Sequence, residues 1–191
     1  MRDSETRRIL TAAWTVLERS RFRSLKVRQV LAASSTSASN FYRRFPSKAH
    51  LILALLDDEV RLVDHRLRNA IDPQTPVSEQ LDTWLRYNIG ILYDQGRAQR
   101  TRLFLDQDLM DVLPEQVAVL YGIFDEQLAQ IIRRGMRTGE LPLGDPATGA
   151  MLIGHLVRGL LTNGVNGRLP PDEDDLVVHV HGFVLHGLGH P

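Results

Sequence analysis

The sequence predicts an all-α protein of about nine helices. Three observations support this prediction. Apolar residues recur every three to four positions through most of the chain, as in "TRRILTAAWTVL", which is the spacing of an amphipathic helix. Prolines stand where several of these patterns begin, and a glycine follows the longest of them. No segment reads convincingly as a strand, and no internal repeat has the period of a solenoid.

Residues 1–48 predict three short helices. The first runs from about residue 3 to 19, and the second begins near Val27. Small polar residues then form a tight turn at 34–36, and Ser37 is a good N-cap for the third helix. We therefore expect a compact three-helix head.

A longer fourth helix is predicted from about residue 47 to 70, because Pro46 ends the third helix and Ser47 caps the next one. At 1.5 Å per residue it would be roughly 35 Å long, enough to connect the head to a separate body. The predicted domains are 1–48 for the head and 49–191 for the body. Further helices are predicted at Val77 to Tyr93, Arg97 to about Leu109, Pro114 to Thr138, Asp145 to Asn163 and Pro171 to Leu188.

The composition of the 191 residues is that of an ordinary globular chain, with 43% hydrophobic and 24% charged residues. The absence of cysteine excludes disulfides, thiolate metal sites and a cysteine nucleophile. The start of the chain is charged rather than apolar, so it is not a secretory signal. The longest apolar stretch, 147–161, is too short to cross a membrane. We therefore expect a cytoplasmic protein with no membrane partner.

The charge is divided unevenly along the chain. Residues 1–48 hold eleven lysines and arginines against three acidic residues, and the remainder holds twelve against twenty. A basic head indicates a polyanionic partner. Lys26, Arg28 and Lys48 also stand at predicted helix starts, where the helix dipole disfavours positive charge by roughly 0.3–1 kcal/mol each. A phosphate backbone bound at these helix starts would explain them.

Three helices with a tight turn between the second and third form a helix-turn-helix, whose third helix enters the major groove of DNA. The base-reading candidates are the exposed residues at the start of that helix, and the amide of Asn40 is suited to adenine N6 and N7. They are Ser37, Ala38, Ser39 and Asn40. The phosphate-contact candidates are Lys26, Arg28, Tyr42, Arg43, Arg44 and Lys48. Two alternatives are open: solvated cations on an ordinary three-helix bundle, or a protein-interaction module or nonspecific nucleic-acid binder without sequence selection.

The stretches "TRRILTAAWTVL", "VRQVLAAS", "STSASNFYRRFPSKAHL" and "ILALLDDEV" resemble the N-terminal DNA-binding region of the TetR (tetracycline-repressor-like) family of bacterial transcriptional regulators. The resemblance covers roughly residues 5–60. It implies an all-α homodimer with a helix-turn-helix head and a ligand-binding body whose occupancy controls operator binding, most often as a repressor. It also implies that Tyr42 and Lys48 contact phosphates and that residues 37–40 read bases.

The sequence departs from that family at three positions in the head. Ser35 and Ser39 stand where the family often has glycine, and Lys26 stands where it often has threonine or serine. Ser39 adds a hydroxyl at the DNA surface. The resemblance therefore implies no particular operator sequence.

Aromatic and polar residues recur at helical spacing in the middle of the body. Core packing explains any one of them, but an apolar lining with a few polar groups also describes a small-molecule site. The resemblance to the TetR family favours a pocket for an apolar or amphipathic effector. The pocket candidates are Trp84, Asn88, Phe104, Asp108, Tyr121 and Phe124.

The last two predicted helices, "AMLIGHLVRGLLTNGV" and "LVVHVHGFVLHGLG", are nearly apolar all round, so we expect them to be buried on more than one side. Packing against a second copy would bury them and place two heads about 34–36 Å apart, as a palindromic operator requires. The alternative is an internal hairpin in a monomer. The interface candidates are Gly154, Gly159, Phe183 and Leu188.

Enzymes and metal proteins are the rival classes. The chain has no Gly-rich nucleotide loop, no HExxH and no GxSxG, so no enzymatic activity is predicted. Four C-terminal histidines suggest a metal site, but no cysteine or nearby carboxylate completes a ligand set. We therefore expect no metal and no other cofactor. We interpret these histidines as titratable groups at an interface; they are His179, His181, His186 and His190.

Overall fold

The computed structural model describes residues 3–20, 25–105, 107–165, 167–168 and 170–190. These residues form ten α-helices and no strand, so the predicted all-α fold is confirmed. The helices are α1 (Ser4–Arg19), α2 (Val27–Ser34), α3 (Ala38–Arg44), α4 (Lys48–Ala70), α5 (Val77–Ile89), α6 (Gln95–Phe104), α7 (Gln107–Val112), α8 (Pro114–Thr138), α9 (Pro146–Val165) and α10 (Glu173–Gly187).

The helix bounds differ from the sequence prediction mainly between α5 and α7. The helix predicted to reach Tyr93 ends at Ile89 and continues as a 3-10 turn. The next helix begins early, because the Asp94 carboxylate accepts hydrogen bonds from the backbone N–H groups of Gly96 and Arg97, at 2.9 and 3.0 Å. The single helix predicted there is two helices, since α6 ends at Phe104 and α7 follows.

Two hydrophobic clusters form the core. The first combines α1, α2 and α3 with the first half of α4, with α7 and with the start of α8. The second combines the end of α4 with α5, the second half of α8, α9 and α10. Because α4 and α8 pass through both clusters, they join the head to the far end of the body.

Candidate DNA-binding surface and body cavity

The turn between α2 and α3 is built without glycine. Ser35 lies in the left-handed region (φ 51°, ψ 39°) directly after α2. The Ser34 hydroxyl donates to the Val30 carbonyl at 2.7 Å, and the Thr36 N–H donates to the Leu31 carbonyl at 3.1 Å. These bonds close the end of α2, so the turn forms with serine in the left-handed position.

The start of α3 presents the predicted base-reading residues. The Ser37 hydroxyl caps α3 by accepting from the Asn40 N–H at 3.3 Å, as the sequence suggested. Ser37, Ala38 and Ser39 are exposed, whereas Asn40 is half-buried. The Asn40 side-chain amide donates to the Glu5 carboxylate at 3.4 Å. Asn40 is therefore oriented by α1, and its base-reading role stays a prediction.

The predicted phosphate contacts fall into two groups. Tyr42 and four cations are exposed, and among the described residues none of these cations has an ion-pair partner. The four are Lys26, Arg28, Arg43 and Lys48.

Arg44 differs from the other candidates, because it is engaged inside the protein. Its side chain is 19% exposed and forms an ion pair with Glu5 at 2.5 Å and a longer one with Asp3 at 3.8 Å. The geometry therefore gives Arg44 an internal role, which is to hold α3 against α1. Glu5, which the sequence did not single out, holds both Asn40 and Arg44.

A partly open cavity of ≈ 190 Å³ lies in the body, lined by residues of α4, α5, α6, α8 and α9. Its walls are mostly apolar and aromatic. They include Leu56, Val60, Val63, Trp84, Phe124 and Leu161.

A buried polar network fixes the aromatic wall of this cavity. The Trp84 indole N–H donates to the Gln127 side chain at 3.3 Å, and Gln127 in turn donates to the Asp64 carboxylate at 2.5 Å. The Asn88 side chain donates to the Trp84 carbonyl at 2.9 Å. Since its N–H is already bonded, Trp84 offers a bound molecule mainly its ring.

Four of the six predicted pocket residues line this cavity: Trp84, Asn88, Tyr121 and Phe124. The side chains of the other two, Phe104 and Asp108, lie outside the described part of the structure. Burial raises the pKa of Tyr121 to about 12, although nearby Arg158 opposes the shift. The Tyr121 hydroxyl therefore keeps its proton at neutral pH and is able to donate a hydrogen bond.

The sequence analysis did not predict that arginines line the cavity. Arg158 pairs with Asp125 at 3.2 Å and lies 5.7 Å from the centre of the Tyr121 ring. A side chain at Gly154 would collide with that Asp125 carboxylate, so glycine makes room for the pair. The partners lie 33 positions apart, and no local pattern indicates such a contact.

Arg100 connects the cavity wall to the head. It lines the cavity from α6, and its guanidinium pairs with Glu59 of α4 at 3.2 Å and with Glu18 of α1 at 3.1 Å. The same guanidinium lies 5.0 Å from the centre of the Trp14 ring, also on α1. One side chain therefore touches the cavity, the connecting helix and the head.

The predicted interface residues are not all on one face. Phe183 is 70% exposed, together with Leu152 at 61% and Val178 at 59%, so α9 and α10 both carry exposed apolar side chains, which we call the apolar strip. Gly159 is exposed as well, and Leu188 is half-buried against the second cluster. Gly154 instead faces the cavity and lies outside this strip.

Comparison with known proteins identifies the family. Residues 9–55 match the family described as bacterial regulatory proteins, tetR family. The head of this chain is therefore a tetR-family DNA-binding region. The match covers α1–α3 and the start of α4, so this protein is a DNA-binding transcriptional regulator of helix-turn-helix type. No curated protein matches the chain significantly.

Solved structures show that the rest of the chain has the fold of these regulators. The fatty acid degradation regulator FadR from Bacillus halodurans is 20% identical, with all of both chains covered and a TM-score of 0.75. FadR from Bacillus subtilis, solved in complex with stearoyl-CoA, is 19% identical over 95% of this chain and 98% of that one, with a TM-score of 0.71. Salmonella enterica GusR is 18% identical over 97% and 95%, with a TM-score of 0.70.

None of the helices in the described residues is both long enough and apolar enough to cross a lipid bilayer.

Proposed function

We propose that this tetR-family protein is a ligand-responsive repressor in the cytoplasm. It binds a palindromic operator as a homodimer and is released by a small apolar or amphipathic effector bound in the body cavity. The B. subtilis FadR structure, which contains stearoyl-CoA, supports an amphipathic effector.

The observation that carries this proposal is the position of Arg100. A cavity alone is compatible with imperfect packing, and a basic head alone is compatible with constitutive DNA binding. Arg100 lines the cavity and is ion-paired to Glu18 in the first helix of the head. A molecule in the cavity is thus able to change the contacts that position the head.

The connecting helix supplies a second route between the two sites. Lys48, at its first residue, is exposed among the predicted phosphate contacts. Leu56, Val60 and Val63 of the same helix line the cavity. Effector binding that shifts α4 therefore moves Lys48, and in a dimer it changes the spacing of the two heads. Such a change transfers population from a DNA-binding state to a released one.

Dimerisation is supported by the exposed apolar strip of α9 and α10. Exposed apolar side chains that lie together are typical of protein interfaces. Packing this strip against that of a second copy would form a four-helix interface and repeat the reading head, as a two-fold symmetric operator requires.

Selection of bound fragments from random DNA duplexes tests this function directly. We expect purified protein at physiological salt to select inverted repeats whose half-sites are about 10 bp apart, centre to centre, or a multiple of that spacing. Affinity for the selected site should fall steeply as salt is raised. Salt-sensitive binding with no sequence selected would favour the nonspecific binder, and no binding to any duplex would refute the regulator.

A further inference from the structure

The charges lining the body cavity do not balance. Four arginines and one glutamate contribute to its wall: Arg66, Arg97, Arg100, Arg158 and Glu59. Glu59 pairs with Arg100, and Asp125 just behind the wall pairs with Arg158. Glu18 also pairs with Arg100, so three carboxylates stand against four guanidinium groups and the cavity keeps a positive charge.

Neither Arg66 nor Arg97 has an ion-pair partner in the part of the chain that the structure describes, and Arg97 is the more buried of the two. Among the described residues its side chain has only the Tyr87 carbonyl, at 3.4 Å, and the Tyr87 ring, whose centre lies 4.8 Å from the guanidinium carbon. Arg97 is half-buried, so water screens its charge less than that of an exposed arginine. Stacking on a ring uses the flat face of a guanidinium and leaves N–H groups at its edge available for a planar anion.

The side chain beneath Arg97 offers a second, independent feature. The Tyr87 hydroxyl is buried and has no hydrogen-bond partner among the described residues. A buried polar atom without a partner costs roughly 1–3 kcal/mol, so it calls for a ligand or ordered water that restores the bond. Tyr87 and Arg97 both line the cavity, so a neutral donor and a charged donor belong to the same wall.

We infer that the effector is an amphipathic anion whose acidic group contacts Arg97 and the Tyr87 hydroxyl. Its apolar part lies against Trp84 and Phe124. The inference rests on the proposal that this cavity is the effector site. A neutral apolar molecule of the same size would leave Arg97 without a counter-charge and Tyr87 without a partner. A cationic one would be repelled, because Arg66 at the exposed rim adds to the same charge.

Matched series of small molecules test this inference on the full-length protein. The probes are hexanoate, octanoate, decanoate and 1-naphthoate, each with the alcohol and the amine of the same skeleton. Binding is measured by calorimetry at pH 7 and constant ionic strength. We expect the best acid to bind at least about tenfold more tightly than its alcohol, since a charge-assisted pair exceeds a neutral hydrogen bond by that margin, and the amine to bind weakest.

Two variants assign the preference to one side chain. Arg97→Gln should abolish the preference for acids while leaving the affinity for the alcohol within about twofold, which shows that the cavity is intact. Arg97→Lys should retain part of the preference, since it keeps the charge but not the fork of donors. Arg137→Gln is the control, because Arg137 is exposed at the end of α8 and does not line this cavity. It removes the same charge and should leave the preference unchanged.

Three results would overturn the inference: acids that bind no better than alcohols, no binding by any acid, or a preference that survives in Arg97→Gln. An equal loss in Arg137→Gln would also overturn the assignment to Arg97. Selection of DNA fragments by the same preparation without probes separates this failure from failure of the proposed function. If the protein selects a DNA sequence but shows no preference for acids, only this inference is refuted. If it binds no DNA at all, the proposed function as a regulator is refuted.

Discussion

Helices α2, α3 and α4 begin with electrostatics opposite to those of the body helices and of α1, which is capped by Asp3. The helix dipole favours acidic groups near an N-terminus. The body follows this rule: Asp94 caps α6, Asp145 accepts N–H bonds at the start of α9, and α10 begins with a run of acids. The first turns of α5 and α8 hold Glu79 and Glu115. In contrast, α2, α3 and α4 have no acidic residue in the first turn, and Lys26 and Lys48 stand at two of those starts.

This difference indicates which helix N-termini are suited to an external anion. In the body, acidic side chains of the chain itself compensate the positive end of each of these helix dipoles, so no external anion is required there. The starts of α2 to α4 are left positive at some cost to stability, although serine caps are present on α3 and α4. Binding to a phosphate backbone would explain why this cost in stability occurs at the starts of α2 to α4 and not in the body.

Reversing the charge at the start of α4 should have the largest effect. Lys48→Glu supplies the acidic group that the dipole favours, so we expect the free energy of unfolding to rise by roughly 1 kcal/mol. The same change removes a predicted phosphate contact and adds repulsion, twice if the protein binds as the proposed dimer, so affinity for duplex DNA should fall at least about a hundredfold at physiological salt. Chemical denaturation and DNA titration measure the two effects.

The matched control lies in the body. Glu79 is exposed in the first turn of α5. Glu79→Lys replaces this acidic residue, which the helix dipole favours, by a cation, which the dipole disfavours. It should lower stability by roughly 1 kcal/mol and leave DNA affinity unchanged. The comparison of the two regions would be wrong if both substitutions changed stability in the same direction, or if Lys48→Glu bound DNA as well as the parent protein.

A second prediction separates base reading from phosphate binding within the head. Asn40→Ala should relax preference at one base pair of each half-site by roughly 1–3 kcal/mol and change the salt dependence little. The side-chain oxygen Oδ1 of Asn40 has no hydrogen-bond partner among the described residues, and the side-chain N–H donates to Glu5, so Oδ1 is available to a base. Repeating the fragment selection with the variant measures the change. Unaltered preference at every position would refute the reader assignment.

A third prediction concerns the contact between the two regions. Arg100→Met keeps an apolar chain in the cavity wall but removes the ion pairs to Glu18 and Glu59. We expect the affinity for the best-binding acid to fall, because the cavity wall loses a positive charge and Glu59 loses its partner. At saturating acid, the ratio of operator affinities without and with the acid should still fall by at least about fivefold. DNA titrations with and without that acid give this ratio. An unchanged ratio would show that α4 alone transmits the signal.

The sequence predicted the parts of this structure that depend on neighbours along the chain. The bounds of α8 match the prediction, because Pro114 marks its first residue and Gly139 follows its last. Ser37 was recognised as a cap by the same local rules. The link between Arg100 and Glu18 was not predicted, because the partners lie 82 positions apart and each looks like an ordinary surface charge. Polarity along a helix predicts which residues are exposed, but not which arginine of a cavity lacks its counter-charge.

The smallest predicted effect compares the left-handed residues that end two helices. Ser35 ends α2 with φ 51° and Gly139 ends α8 with φ 78°, and a Cβ at Gly139 would meet no neighbouring atom. Ser35→Gly should raise stability by roughly 1 kcal/mol, because glycine adopts this conformation without the steric cost of a side chain, and Gly139→Ser should lower it by a similar amount. Thermal unfolding is expected to shift by roughly 2–4 °C in opposite directions. A loss of stability in Ser35→Gly would mean that the serine makes up for its backbone strain, and that the head tolerates less substitution at its turn than the body does.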